Sequence, residues 1–308
     1  MKRLTLEIGV LLFAAAVQAR DIRYSGYVGL EAAGGVAHLL LGQTHGTTTG
    51  KAAPQAGWGL AGSVFYELEY RHFLFHTGIG TDYTVGNNLL TIPEHVATMQ
   101  EYSTMLFRYT FSQFRETTTY GVLYVPLQVG GEWDKVYFLV GVKLGVFPFA
   151  CTTHTRSQVQ TWATDQDIID PLHDLLTHDM HTFRISGNKQ PIAMPWFNAM
   201  LSAEVGAYLP ARQPALVHAD CRMAVFMDLG LTNLHRYTPN PAPYGEEATG
   251  GIIDFRGLTD LQPLSAFGYA PWQSATLHNL LLGIKLTVRF RAHSYKTCLC
   301  INDLGKTI

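Results

Sequence analysis

Trp58-Gly-Leu-Ala-Gly-Ser-Val-Phe-Tyr-Glu-Leu-Glu-Tyr70 is a stretch with a strict period of two. One face carries Trp58, Leu60, Gly62, Val64, Tyr66, Leu68 and Tyr70, and the other carries Gly59, Ala61, Ser63, Phe65, Glu67 and Glu69. Side chains alternate across a strand, so this pattern predicts a strand with two unlike faces. The first face has no charge. The second mixes small residues with carboxylates. A soluble sandwich also alternates, but its polar face meets water and collects Lys, Glu, Thr and Ser. A face of Gly, Ala and isolated charges suits the cramped inside of a small closed sheet better.

The same two faces recur along the chain. Phe73 to Val85 sets Phe73, Ile79 and Tyr83 against His76, Gly78, Gly80 and Asp82. Val136 to Val146 sets Val136, Val140 and Leu144 against Tyr137, Gly141, Lys143 and Gly145. Phe197 to Leu209 opposes Glu204 and Gly206, Met223 to Leu231 opposes Arg222, Asp228 and Gly230, and Leu280 to Phe290 opposes Gly283, Lys285 and Arg289. Two weaker segments, Tyr24 to Val36 with Glu31 and Phe114 to Gly130, complete eight strands. Pro126 inside the fourth strand predicts a bulge. Met105 to Phe111 either extends that strand or pairs locally.

Connections of two lengths alternate. Short ones fall at Arg71-His72, at 131–134 and at 210–218, and long ones at 41–56, 87–103, 149–195 and 234–275. Transmembrane barrels pair short periplasmic turns with longer outer loops. The expected fold is therefore all-β: an eight-stranded antiparallel up-and-down transmembrane β-barrel with four long outer loops. Its interior charges are Glu31, Glu67, Glu69, Asp82, Glu204 and Asp228 against Lys143, Arg222, Lys285 and Arg289. Charges away from water have to pair, so these ten residues predict an ion-pair network that plugs the lumen. Tyr24, Trp58, Tyr66, Tyr70, Tyr83 and Trp196 are the expected aromatic girdles.

The N-terminus reads as a secretory leader. Lys2 and Arg3 precede an apolar run from Ile8 to Val17, and Val17-Gln-Ala19 is a small-x-small cleavage site. The expected organisation is a signal peptide over 1–19, a barrel over 20–291 and a periplasmic tail over 292–308. Charged residues are only 15% of the chain and the net charge is -2, with no basic block that would follow nucleic acid.

Tyr124-Val-Pro-Leu-Gln-Val-Gly130 followed by Val136-Tyr-Phe-Leu-Val-Gly-Val-Lys-Leu-Gly145 resembles the central hairpin of small bacterial outer-membrane β-barrels, the OmpA/OmpX-like transmembrane barrel domains. Gly283-Ile-Lys-Leu-Thr-Val288 with Phe290 resembles the C-terminal signal of the same family. The resemblance covers about residues 22–291. It implies an outer-membrane location, outer-membrane lipids as surroundings, the barrel-assembly machinery as a partner during biogenesis, and an extracellular ligand or a periplasmic partner. The chain departs from the family by continuing past Phe290 with Cys298-Leu-Cys300.

Residues that could carry chemistry are sparse. The third long connection holds His154, His173, His178 and His181 with Asp165, Asp167, Asp170, Asp174 and Asp179. On a helical turn, His178 and His181 would aim at one metal, though polar loop residues are the plainer account. Cys221 falls on the predicted lipid face and Cys151 has no obvious partner. His76, Asp82 and His235 are the candidates for a rim enzyme, yet none lies in a recognisable catalytic motif. The reading is therefore of a non-enzymatic barrel without cofactor or metal, in a structural or surface-interaction role. Its alternative is a small passive pore.

Overall fold

The computed structural model describes residues 23–42, 51–91, 95–100, 104–149, 151–165, 177–186, 189–209, 219–236, 266–267 and 275–296. The segment expected as a leader, most of the fourth long connection and the Cys298/Cys300 pair lie outside them. Twelve strands are described: β1 (Arg23–Gly42), β2 (Lys51–Tyr70), β3 (Phe73–Thr91), β4 (His95–Gln100), β5 (Thr104–Trp133), β6 (Val136–Val146), β7 (Cys151–Asp165), β8 (Thr177–Ser186), β9 (Gln190–Ile192), β10 (Phe197–Tyr208), β11 (Ala219–Gly230) and β12 (Thr276–Lys296).

Eight of them close on themselves. The antiparallel order is β1-β2-β3-β5-β6-β10-β11-β12, and β12 returns to β1. Neighbours in sequence are neighbours in space throughout, so the ring is an up-and-down closed sheet. Closure satisfies the backbone groups that an open sheet would leave at its edges.

Alternation sorts the side chains by face. Leu60 and Ile284 are each 56% exposed on the outside, whereas Glu67 is 0% and Lys143 2% exposed inside. This is the reverse of a sandwich, whose greasy face is its core. Glycines on the inner face make room for large neighbours. A Cβ at Gly80 would stand 2.5 Å from the Tyr124 ring, and one at Gly206 2.6 Å from Tyr137.

Four expectations are corrected, and one open alternative is resolved. The first three long connections are not simply loops, because strands continue through much of them. β2 begins at Lys51 and β3 runs to Thr91, while β4, β7, β8 and β9 occupy most of 95–100 and 151–192. β5 both extends upward and pairs locally with β4. Pro126 makes no bulge, since the β5–β6 register runs unbroken through Pro126↔Lys143. The β3–β5 ladder instead loses its pairings between Thr77↔Leu127 and Gly80↔Tyr124, where proline has no N–H to give. His178 and His181 lie on strand β8 rather than on a helical turn. Finally, β12 does not stop near Phe290 but pairs with β1 as far as Arg23↔Lys296, inside the stretch expected as a tail.

Above the ring, β7 takes over from β6 along the edge of β5. Leu123 pairs with Val146, and Thr119 pairs with Thr152. Phe147-Pro-Phe149 interrupts the two, because Pro148 cannot continue the ladder. β7 then carries β8 on its other side, so β4, β5, β7 and β8 form a flap standing on the ring.

Candidate functional site: the charged interior and its cap

Alternation on seven of the eight ring strands points ten charged residues at one axis, and they meet in tiers. At the lower end Arg222 and Arg289 each donate to the same Oε1 of Glu67, at 2.6 Å. Arg289 also donates to Asp220 at 3.1 Å and lies 3.8 Å from both Glu69 and Glu132. Guanidinium planes cover the aromatics of this tier: Arg289 stands 4.0 Å over Tyr27 and Arg222 4.6 Å over Tyr137. Arginine suits such sites because its flat, weakly hydrated head can stack and donate together.

In the middle tier Lys285 donates to Glu204 and lies 3.5 Å from Glu31. Ser63 donates to Glu31 at 2.8 Å. His76 sits between two carboxylates, 3.8 Å from Glu31 and 3.6 Å from Glu67, with its ring stacked on Phe65. In the upper tier Lys143 donates to Asp228 at 2.6 Å and stands 4.6 Å from the Tyr124 ring centre. Gln128 donates to Ser202 at 2.9 Å. Asp82 is buried with one oxygen that no protein group of the described residues satisfies.

Above these tiers the interior turns apolar. Leu39, Leu90, Phe114, Tyr120, Leu234 and Phe267 pack in one cluster. A short turn at Ala266-Phe267 is clamped there from both sides. Its Ala266 N–H donates to Glu116 at 2.8 Å, and the Ala266 carbonyl lies 2.8 Å from His235 Nε2, whose ring stacks on Phe267. Thr153 donates to the other Glu116 oxygen at 2.9 Å. Burial pushes the Glu116 carboxyl up to about 7, against the opposing pull of these two donors. Burial likewise lowers the His235 imidazole, with the Ala266 hydrogen bond pulling the other way. Burial thus shifts each group toward its neutral form.

All ten interior charges therefore reach the lumen, with Glu69 half-buried at its lower end. The rim-enzyme candidates do not come together. His76 is locked between acids, Asp82 lies six positions further along β3, and His235 belongs to the cap. Cys151 is free and buried, and Cys221 is free and half-buried. Among the described residues no group of three or more His, Cys, Asp or Glu could hold a metal. Sequence reasoning missed Glu116 and Thr153. The parity of Tyr124 and Gln128, carried back along β5, would have put Phe114, Glu116, Thr118 and Tyr120 on the inner face.

Neither a protein-family model nor a curated protein matches the chain. Solved structures give faint likenesses. The Salmonella SPI-1 type III secretion injectisome secretin InvG in its open-gate state shares 10% identity over 98% of this chain and 69% of its own, at a TM-score of 0.09. Pseudomonas aeruginosa OpdL shares 6% identity over 91% of this chain and 99% of its own, also at 0.09. At such scores neither carries an argument about fold or function.

Proposed function

We propose that the chain is an integral outer-membrane β-barrel with a side-chain-plugged interior, acting structurally or through the surface it raises above the membrane. The observation that carries this reading is the belt of exposed apolar side chains around the ring. It includes Leu30, Leu60, Val64, Ile79, Val140, Val205, Val225, Ile284 and Leu286, each more than 40% exposed. Soluble monomers rarely show apolar patches beyond a few hundred Å², whereas acyl chains would cover this belt at no cost. Aromatics edge it: Trp58 packs on Tyr83 at 5.6 Å, Trp196 is 80% exposed and Trp133 58%. Short turns at Arg71-His72 and Asp134-Lys135 mark one end, which this reading makes periplasmic. The flap then faces outward. The resemblance to the OmpA/OmpX-like barrels agrees with this orientation.

The test is the behaviour of the expressed chain in membranes. It should fractionate with outer membranes and run faster on a gel unheated than boiled. Recovery in the soluble fraction as a monomer would contradict the reading.

A small pore is the second reading. Eight strands leave an interior that side chains just fill, and the tiers of ion pairs span it. In planar bilayers the intact chain should give no steady openings at 1 M salt, and stable unitary currents would favour the pore.

A further inference from the structure

We propose that the flap carries a binding site for clustered phosphate groups, built by Arg115, Arg156 and Arg184. A concave pocket of about 480 Å³ lies on its outer face, and these three arginines line it with Gln113, Gln158 and Ser186. Register explains the grouping. Arg115 on β5 pairs directly with Arg156 on β7, and Arg184 on β8 pairs with Gln158, the next residue but one on the same face of β7.

Like charges directly opposite each other on a sheet repel. Among the described residues, no carboxylate lies within ion-pair distance of any of the three. Charge is often placed on edge strands to block unwanted pairing. That would account for Arg184 on β8, but not for Arg115 and Arg156, whose strands are paired on both sides.

Two further features shape the site. Gln113 sits at φ 52° in a bulge of β5, where the register shifts between Ser112 and Arg115. A non-glycine residue in this left-handed region is costly, and such bulges re-aim side chains. Arg156 Nε donates to His154 Nε2 at 3.3 Å, and that nitrogen also lies 3.1 Å from Ser186 Oγ. His154 thus serves as an acceptor that fixes the arm of Arg156 and leaves its terminal nitrogens for a ligand. Burial, with the Arg156 and Lys189 charges, holds the His154 imidazole below its ordinary value and so keeps it in that role.

Guanidinium forks match phosphate oxygens two by two. A ligand with two or more phosphates would neutralise the repulsion among the three guanidinium groups. The phosphates could be free in solution or borne by a glycolipid headgroup, and only the second source rests on the membrane reading.

The test is calorimetry on the refolded full chain in detergent, with tripolyphosphate as one probe. Lipopolysaccharide, intact or stripped of its phosphates, is the other. The intact chain should bind tripolyphosphate with an affinity that falls as salt rises. Arg115→Gln/Arg156→Gln/Arg184→Gln should weaken binding at least about ten-fold, and Arg184→Gln alone should weaken it less. Arg71→Gln, in the turn at the far end of the ring, should leave it unchanged. Binding of intact but not stripped lipopolysaccharide would assign the glycolipid source, and binding of tripolyphosphate alone the free one. No binding of either probe, or equal loss with Arg71→Gln, would overturn the site. The fast-migrating unheated gel form of the same samples reports on the barrel separately, so the two readings fail independently.

Discussion

Single residues decide how the interior is held. A buried ion pair gains little over a well-packed apolar pair, but removing one partner strands the other. Lys143→Met should therefore destabilise the fold by about 3–5 kcal/mol, because Asp228 would lose its 2.6 Å partner. Lys143→Met/Asp228→Leu should recover most of that loss. Unfolding midpoints in urea for the four members of this cycle, refolded in lipid, would check it. Additive losses would mean that the pair is not coupled. The cap offers a second case. Glu116 has its carboxyl raised to about 7 in the fold and returns to an ordinary value on unfolding. Its contribution is thus complete below about pH 4 and is lost as pH rises through about 7, on the order of 3 kcal/mol. The Ala266-Phe267 turn should exchange amide hydrogens faster at pH 8 than at pH 5.5 once intrinsic rates are removed, and Glu116→Gln should abolish that difference. Glu116 suits this test because it lies seven positions beyond Leu123, the last outward apolar residue of β5 on that side. This is about 23 Å along the strand and clear of the belt.

At the scale of the strand, parity does most of the work. A charge at the middle of the belt should cost about 2–4 kcal/mol and one near its ends about 0–1. Ile284→Arg should accordingly lower the unfolding free energy far more than Val136→Arg, which sits beside the Asp134-Lys135 turn. Equal costs would argue against a lipid-facing stripe. Parity is also what made the fold legible. The alternation from Trp58 to Tyr70 assigned Leu60 and Val64 outward and Ser63, Phe65 and Glu67 inward, and the structure places them so. Strand length was not legible in the same way. β3 passes its apolar stripe and continues through Gly86-Asn-Asn88, and β5 continues back through a Thr-rich stretch. Such residues read as loop from composition, but pairing partners across the sheet override a weak local preference. Pro126 misled for a related reason. A sheet closed on both sides can leave one hydrogen bond unmade more cheaply than it can shift a whole register.

For the whole molecule, the ring separates two environments that the sequence wrote on alternate residues. Its pairing order required no crossover, which is why eight stripes and short turns were enough to infer it. The partners inside were less accessible. That Glu67 takes two arginines while Glu204 takes Lys285 depends on the stagger between strands far apart in sequence, and alternation alone does not reveal it. The cap is further still from sequence reasoning, since it joins Glu116 to Ala266 across 150 positions. Its apolar cluster sits above the charge tiers, and side chains packed across so narrow a ring are the physical basis for expecting a silent bilayer.

The apolar face of the ring should meet lipid. Nitroxide labels at Leu60→Cys, Val140→Cys and Ile284→Cys, each in a background with the four native cysteines changed to serine, test it directly when the chain is refolded in bilayers. Collision rates should be high with oxygen, which dissolves in acyl chains, and low with a water-soluble nickel chelate. Rates dominated by the nickel chelate at all three positions would contradict the claim.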